Sequence, residues 1–379
     1  MPSPNLPSGA TALLVGFLKL PIGVVKYAAN EPIITGGLLY LLTRGPPHLR
    51  ERLLGPFQNN LLANNGAGRL AMIVTALKVL AGLGIWKRIN RALNAFALNG
   101  WRFSRAGASF EFGPAKTELV VITGACSGFG FEMVKGFSEK ARIVALDISP
   151  FPAELARLPD VHYYQCDVSD SAAIVKVCEE VRKAHGNASV LINNAGIGIG
   201  KTVLETTNEE CEKLFKVNLI SHFALIREFL PGMLEMRKGH IVTIASMASF
   251  YAAPGILDYC CSKVGVLYLN DGLRGECLTR YEGGEAICTS SIHPTWHRTR
   301  IIKGFEKTLE KRGFAIHPAV NVSNVVVDQV LRGKSGRIHV PLSEESFASL
   351  RSWPLWLQDI VLGYAWRPRK GHWMSITKT

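Results

Sequence analysis

Residues 118–147 read ELVVITGACSGFGFEMVKGFSEKARIVALD, and this stretch decides the fold. Its two ends, 118–123 and 142–147, are short runs rich in Val and Ile, which are typical of buried β-strands. Between them a glycine-rich turn, 123–130, leads into a segment that we expect to be helical, 131–140. Glycine permits the tight turn and close backbone approach that a pyrophosphate requires, and a helix start offers free N–H groups. This strand–turn–helix context predicts a dinucleotide-binding unit.

Similar strand-like runs continue along the chain. They are VHYYQCD (161–167), SVLINN (189–194), HIVTIAS (240–246) and AICTSSI (286–292). The segments between them carry apolar residues at helical spacing, for example Ile174, Val177, Cys178 and Val181. Buried runs separated by helices indicate a parallel sheet that is covered on both faces. Right-handed crossovers then predict a doubly wound α/β fold of the Rossmann type.

The charge distribution predicts three sections. Residues 1–115 hold 12 Lys and Arg against 3 Asp and Glu, and residues 366–379 hold 4 basic and no acidic side chains, whereas the chain between them is neutral. We therefore expect a hydrophobic, basic, helical region associated with a membrane (1–115), a nucleotide-binding domain (116–340) and a Trp-rich basic C-terminal extension (341–379). The neutral middle section argues against nucleic-acid binding, and the 47% hydrophobic content excludes disorder.

Two stretches of the N-terminal section, 10–29 and 70–86, are the most apolar of the chain. Lys78 lies in the middle of the second stretch, where a charge costs at least about 2.5 kcal/mol if it cannot reach the membrane interface. Trp86, next to Lys87 and Arg88, is typical of that interface. We predict membrane attachment, and both a spanning helix and helices that lie in the interface remain open.

The cysteines and histidines predict no metal site. None of the eight Cys lies in a C-x-x-C pair. His293 and His297 have a ligand-like spacing, but Pro294 between them would break a helix. We expect free thiols in a reducing compartment, which favours a domain that faces the cytosol.

Asp147 bears on the choice of cofactor. It ends the second predicted strand, 17 residues beyond Gly130, where a carboxylate can accept hydrogen bonds from the ribose hydroxyls. The same charge would repel a 2′-phosphate, and no Arg or Lys follows before Arg157. Ser127, in the turn, is not basic either. The sequence therefore predicts NAD(H), with NADP(H) as the less favoured cofactor.

Tyr259 and Lys263 stand four residues apart in DYCCSKVGVLYL, so on a helix they share one face. A nearby ammonium stabilises a phenolate and lowers a Tyr pKa towards working pH. We therefore expect Tyr259 to serve as a general acid–base group. Ser246, at the end of a predicted strand, lies 13 residues before it.

Residues 117–300 resemble the short-chain dehydrogenase/reductase family. The matching motifs are T-G-x-x-x-G-x-G at 123–130, N-N-A-G at 193–196 and the Ser, Tyr and Lys set. The resemblance implies that Ser246 hydrogen-bonds the reacting oxygen, while Tyr259 passes the proton. It also implies that Lys263 holds the nicotinamide ribose and that Asn218 supports a proton-relay water.

The resemblance further implies a set of cofactor contacts. These fall on Thr123, Gly124, Ser127, Gly128, Phe129, Gly130, Asp147, Asp167, Val168, Asn194, Ala195, Gly196, Tyr259, Lys263, Pro294 and Thr299. Asn193 matches the first residue of N-N-A-G. Pro294 and Thr299 keep the spacing of the family's P-G-x-x-x-T segment, although Thr295 replaces the usual Gly.

A hydrophobic N-terminal region joined to such a domain is similar to membrane-associated retinol, hydroxysteroid and long-chain alcohol dehydrogenases. The similarity implies hydride transfer between a nicotinamide cofactor and a lipophilic alcohol or carbonyl. It also implies a location at the endoplasmic reticulum or a lipid droplet. Whether the protein forms a homodimer stays open. Two alternatives stay open: a catalytically idle nucleotide-binding scaffold at a membrane, and an epimerase or dehydratase in which His293 or His297 adds an acid–base group.

Overall fold

The computed structural model describes residues 31–52, 54, 66–311 and 313–366. The chain separates into two compact units, Met1–Ala97 and Leu98–Thr379. The apolar stretch 10–29 and the basic tail beyond Trp366 lie outside the described residues, so the expectations placed on them stay predictions.

The described residues of the first unit include the helices α1 (Pro32–Thr43) and α2 (Gly66–Leu98), and residues 47–52 are also helical. Helices α1 and α2 are in contact, because a Cβ placed on Gly84 would lie 3.1 Å from Cδ of Pro32. Arg88 and Glu31 form an ion pair at 2.6 Å. Within the described residues, Gly68–Leu98 is long and apolar enough to cross a membrane, and only 11% of its most apolar window is buried. The apolar run 70–86 thus forms part of a longer helix.

The second unit is built on a seven-stranded parallel sheet in the order β3-β2-β1-β4-β5-β6-β7. The strands are β1 (Leu119–Thr123), β2 (Arg142–Asp147), β3 (Val161–Gln165), β4 (Val190–Asn193), β5 (Gly239–Ile244), β6 (Ile287–Pro294) and β7 (Gly336–Val340). The parallel register pairs Val121 with Val144 on one side and with Leu191 on the other. The predicted doubly wound fold is confirmed.

Helices cover both faces of this sheet. The helices described in this unit are α3 (Gly128–Phe137), α4 (Ala153–Ala156), α5 (Ser171–His185), α6 (Asn208–Phe215), α7 (Ser221–Glu235), α8 (Leu257–Thr279), α9 (Glu306–Lys311), α10 (Val320–Leu331), α11 (Glu345–Ala348) and α12 (Leu355–Trp366). A single π-helical turn, Lys216–Ile220, joins α6 to α7.

Successive residues of β1 point to opposite faces and so belong to two hydrophobic cores. Val121 packs in the core formed with α5, α7 and α8, whereas Val120 and Ile122 pack in the core formed with α3 and α10. All five residues of β1 are buried. This double burial explains why the strands read as continuous apolar runs rather than as alternating ones.

The strand predicted at 286–292 continues two residues further, to Pro294, as β6. Strand β7 lies next to β6 at the edge of the sheet. Sequence reasoning missed β7, whose run GRIHV is short and only partly buried. Residues 98–115 belong to the second unit and are tied to the rest of it by hydrogen bonds. Asn99 accepts a hydrogen bond from the N–H of Ser335 at 2.9 Å, and Arg105 donates to the carbonyls of Ala286 and Gly333.

Candidate active site

The glycine-rich turn lies at the carboxyl end of β1, where the sheet order reverses between β2 and β4. Gly124 and Gly128 adopt φ values of +63° and +55°, a region that favours glycine. A Cβ on Gly130 would overlap the carbonyl oxygen of Gly124. Helix α3 begins at Gly128, and the Ser127 side chain makes no capping hydrogen bond to it. The turn therefore presents a helix N-terminus at close backbone approach, as a pyrophosphate requires.

Thr123 and Asn194 connect the ends of β1 and β4. The Thr123 hydroxyl accepts hydrogen bonds from the N–H groups of Asn194 and Ala195, each at 3.0 Å. The Asn194 side-chain amide donates to the carbonyls of Thr123 and Gly124, at 2.8 and 3.0 Å. Both residues were expected to bind cofactor, and the structure shows that their side chains organise the turn.

Asp147 lies buried at the end of β2. One carboxylate oxygen accepts the N–H of Cys126 and the other accepts the N–H of Ser149, both at 2.8 Å. Asp167, which follows β3, accepts the N–H and the hydroxyl of Ser169 at 2.9 and 2.7 Å, and Val168 beside it is buried. Both predicted acids thus lie at the carboxyl edge of the sheet, Asp147 at the end of β2, which neighbours β1, and Asp167 just after β3, one strand further from the glycine turn.

Ser246, Tyr259 and Lys263 come together at the same edge. Ser246 follows β5, and its hydroxyl accepts the N–H of Ala248 at 3.1 Å and hydrogen-bonds the Tyr259 side chain. Tyr259 and Lys263 lie on α8, with the Lys263 Nζ 5.6 Å from the Tyr259 ring centroid. Lys263 is buried, and its ammonium donates to the carbonyl of Ile244 at 2.8 Å.

The electrostatics of the pair differ from the expectation. Burial raises the pKa of Tyr259 to about 12, and the Ser246 hydrogen bond opposes this shift only in part. Burial lowers the pKa of Lys263 to about 8. The prediction of a phenol that is acidified by the ammonium is therefore wrong for the polypeptide by itself, because desolvation disfavours the charged form of both groups.

Asn218 lies in the π-helical turn and is fully buried. Its side-chain oxygen accepts the N–H of Ile197 at 2.8 Å, and its amide nitrogen donates to the Ile197 carbonyl and the Ser262 hydroxyl. A Cβ on Gly196 would lie 3.5 Å from the Asn218 oxygen and 3.6 Å from the Lys263 Nζ. Asn218, Gly196 and Lys263 therefore converge, as the resemblance implies.

The segment after β6 contacts both the glycine turn and the loop after β4. A Cβ on Gly128 would lie 3.5 Å from the Thr299 methyl, so Thr299 faces the glycine turn. Further on, a Cβ on Gly198 would lie 3.0 Å from Cγ2 of Ile301, which places Ile301 against the loop after β4. Pro294 ends β6. Sequence analysis did not identify Ile301 as a residue that lines the site. Ile301 lies two residues after Thr299, where the family usually forms its substrate lid, and this position is the signal that could have identified it.

The two histidines that were considered as extra acid–base groups are buried. His293 contacts the Ser246 carbonyl through Nδ1 and the Ser291 hydroxyl through Nε2. Burial, helped by His339, lowers the pKa of His293 to about 3. His297 is also buried, with its ring against Phe129. Neither arrangement favours an epimerase or a dehydratase.

Among the described residues, no cluster of three His, Cys, Asp or Glu side chains is placed to hold a metal ion.

These residues fit a nicotinamide dinucleotide. The glycine turn leaves no room for a Cβ at Gly130. The side-chain amide of Asn193 is fully buried and finds no hydrogen-bond partner within the described part of the chain. A parallel sheet with a glycine cradle at its switch point and a Ser, Tyr and Lys set at the same edge defines a Rossmann-fold oxidoreductase that uses NAD(P).

The model of the short chain dehydrogenase family matches residues 118–310. A similar relative, Dehydrogenase RED3 of Cochliobolus heterostrophus, is 45% identical over 130 residues, 34% of this chain and 66% of the relative. Rat 17-beta-hydroxysteroid dehydrogenase 13 is 33% identical over 59% of this chain and 75% of its own length. Mouse epidermal retinol dehydrogenase 2 is 33% identical over 49% of this chain and 62% of its own. The chain belongs to the short-chain dehydrogenase family.

A solved structure agrees with this assignment. The 4-hydroxyisoleucine dehydrogenase complexed with NADH is 25% identical, with a TM-score of 0.52, over 59% of this chain and 96% of that protein. The match thus spans nearly the whole of that protein. The chain spans about two thirds of the length of RED3 and 62% of the retinol dehydrogenase.

Proposed function

We propose that this protein transfers a hydride between a nicotinamide dinucleotide and the carbinol or carbonyl carbon of a lipophilic substrate of the retinoid, steroid or long-chain type. One observation carries the proposal: Ser246, Tyr259 and Lys263 converge beside the glycine turn at the carboxyl edge of the sheet. The dinucleotide, when bound, supplies or accepts the hydride.

Each residue of this set has a role that follows from its contacts. Ser246, already hydrogen-bonded to the Tyr259 side chain, is placed to orient the reacting oxygen. Tyr259 gives or takes the proton of that oxygen. Its raised pKa keeps it protonated, so in the direction of carbonyl reduction it is ready to donate. Lys263 provides a positive charge that favours the phenolate left behind.

The cofactor would be held by the turn and the two acids. The N-terminus of α3 at Gly128 suits the pyrophosphate, and Asp147 suits the adenosine ribose. Asp167 lies near the adenine position that the resemblance implies. Lys263 and Asn218, which lie on either side of Gly196, are placed for the nicotinamide half.

Apolar side chains around the cleft support a lipophilic substrate. Ile301 contacts the loop after β4, and the Phe305 ring lies against Gly200 of the same loop. Phe305 is 46% exposed, and Val203 and Leu204 nearby in sequence are 66% and 77% exposed. Two of the relatives are named as hydroxysteroid and retinol dehydrogenases, which agrees with a substrate of this kind.

The apolar helix α2 supports membrane association. Its exposed side chains include Val79, Leu83, Ile85 and Trp86, and Lys87 and Arg88 follow Trp86 as at a membrane interface. All eight cysteines are free, which agrees with a domain that faces the cytosol. We place the protein at the endoplasmic reticulum or a lipid droplet, and a homodimer stays a prediction.

Full-length protein in membrane fractions tests the proposal. Reduction of NAD⁺ and NADP⁺ is followed with retinol, hydroxysteroids, long-chain alcohols and polar sugars. We expect turnover with members of the lipophilic set. Turnover confined to the sugars would contradict the substrate class, and dinucleotide binding without any turnover would favour the idle scaffold.

A further inference from the structure

Arg300 reaches the end of β2 from a distant part of the chain. It begins the 3₁₀ turn Arg300–Ile302, directly after Thr299. Its guanidinium Nη1 lies 3.3 Å from the hydroxyl oxygen of Ser149, a residue 151 positions earlier. The N–H of Ser149 in turn donates to the Asp147 carboxylate at 2.8 Å. Ser149 therefore connects the two charged groups: its N–H donates to the Asp147 carboxylate, and its hydroxyl oxygen lies next to the Arg300 guanidinium.

The backbone on both sides of Arg300 is held against the site. Thr299 faces Gly128 of the glycine turn, and Ile301 contacts Gly198 of the loop after β4. Arg300 stands between these two contacts, and its side chain extends to Ser149, just beyond the end of β2. Its place next to Ser149 thus follows from the path of the whole segment.

This position matters because the end of β2 discriminates between the two dinucleotides. An acidic residue there bonds the 2′-hydroxyl of NAD, whereas an Arg nearby accommodates the 2′-phosphate of NADP. Along the sequence no cation follows Asp147 before Arg157. The fold supplies one from the segment after β6, and its planar guanidinium matches a phosphate in a bidentate manner.

The charge of Asp147 is also partly compensated. Both carboxylate oxygens accept backbone N–H groups, from Cys126 and Ser149. Arg300 brings a positive charge to the hydroxyl of Ser149, two residues beyond Asp147. Repulsion of a 2′-phosphate is therefore weaker than the sequence of β2 alone indicates.

We propose that Arg300 is a specificity-determining residue that contacts the 2′-phosphate of NADP(H), so that one site takes both dinucleotides: NAD(H) through Asp147 and NADP(H) through Arg300. The inference rests on the proposed function, since it requires a bound dinucleotide.

Equilibrium binding of NADH and NADPH to the full-length protein in detergent tests this, by calorimetry or nicotinamide fluorescence. The variants are Arg300→Gln, Arg300→Lys and, as a matched control, Lys303→Gln, which removes an exposed cation of the same segment. We expect Arg300→Gln to weaken NADPH binding by about tenfold or more, the usual loss for a hydrogen bond to a charged group. NADH binding should change by less than about threefold, Arg300→Lys should retain part of the NADPH affinity, and Lys303→Gln should change neither affinity.

Other outcomes overturn the inference. An equal loss for both dinucleotides would assign Arg300 to the shared pyrophosphate, and no loss for either would leave it outside the cofactor contacts. Wild-type protein that binds NADH but not NADPH would overturn this inference and leave the proposed function standing. Wild-type protein that binds neither dinucleotide would overturn both. Unchanged NADH affinity in Arg300→Gln shows at the same time that the variant is folded.

Discussion

The Lys263 ammonium lies 5.6 Å from the centre of the Tyr259 ring and donates its hydrogen bond to the Ile244 carbonyl. The two side chains share a helix face, as their spacing predicts, yet the lysine is held by β5. The phenol instead hydrogen-bonds Ser246. Lys263 therefore donates to a carbonyl of β5 and not to the phenol, and its ammonium is held at the carboxyl edge of the sheet.

Removal of the phenol oxygen should abolish most turnover. We expect Tyr259→Phe to lower kcat by about 10²–10⁴-fold, the usual contribution of a positioned acid–base group, with little change in dinucleotide affinity. Tyr268→Phe is the matched control, since Tyr268 lies on the same helix and is 68% exposed. Steady-state kinetics with the best substrate of the panel measures both variants. Near-normal turnover by Tyr259→Phe would exclude the mechanism.

The buried lysine predicts a particular pH dependence of stability. The pKa of Lys263 is about 8 in the folded protein against 10.5 for the ordinary group. Between these values the unfolded chain binds more protons, so this group makes the folded state more stable as pH rises. Wild type should therefore gain stability relative to Lys263→Met between about pH 8 and 10.5, measured as the difference in Tm at each pH. A difference that stays constant over that range would show that Lys263 titrates normally.

Glycine 130 should tolerate no side chain. A Cβ there would overlap the Gly124 carbonyl and approach the Asn194 amide at 2.8 Å, so we expect Gly130→Ala to displace the turn and weaken dinucleotide binding by at least tenfold. Gly272 is the control, because it also lies in a helix and nothing lies within 4 Å of its added Cβ. Gly272→Ala should leave Tm equal or slightly higher. Binding titrations and thermal melts compare the pair, and equal behaviour of the two variants would argue against a close-packed turn.

Asp147→Asn should change the relative affinity for the two dinucleotides. The amide can accept only one of the two backbone N–H groups that Asp147 now accepts, and it carries no charge. We expect NADH affinity to fall about tenfold, and NADPH affinity to fall less, because repulsion of the 2′-phosphate disappears. Asp160→Asn, an exposed acid at the start of β3, serves as the control. The same binding titration tests both, and a uniform loss would show that Asp147 does not contact the ribose.

Charges placed on α2 should release the protein from membranes. Leu83 and Trp86 are 57% and 66% exposed, and a charged side chain in a membrane costs about 2.5–3.5 kcal/mol at the centre of the bilayer. We expect Leu83→Glu combined with Trp86→Glu to lower co-flotation with lipid vesicles. Val175→Glu, on an exposed position of α5, is the control. Unchanged flotation of the double variant would assign membrane contact to another segment.

Much of the catalytic domain can be read from the sequence because its signals are local. The Val and Ile runs predict six of the seven strands to within a few residues, since a strand buried on both faces must be apolar throughout. Gly124, Gly128 and Gly130 identify the turn because no other residue fits its backbone. The sequence analysis did not identify β7, because an edge strand that is only partly buried has a weak hydrophobic pattern.

Other properties arise only when distant segments meet. The spacing of Tyr259 and Lys263 predicts their shared face, but the raised pKa of the phenol depends on its burial, and Tyr259 packs in a cluster with Ala248 and Ala253 of the segment after β5. Thr123 and Asn194 became organisers of the turn because β1 and β4 are neighbours in the sheet. Contacts of this kind produce no recognisable pattern within a short stretch of sequence.

The amino-acid order alone determined the parallel α/β fold and the glycine-rich turn, and it supplied the candidate catalytic set, because strand burial, backbone freedom at glycine and helical spacing are properties of neighbouring residues. The tertiary structure decided the protonation of Tyr259 and the cation beside Ser149. Desolvation and charge act through space, and Arg300 reaches Ser149 across 151 positions of chain.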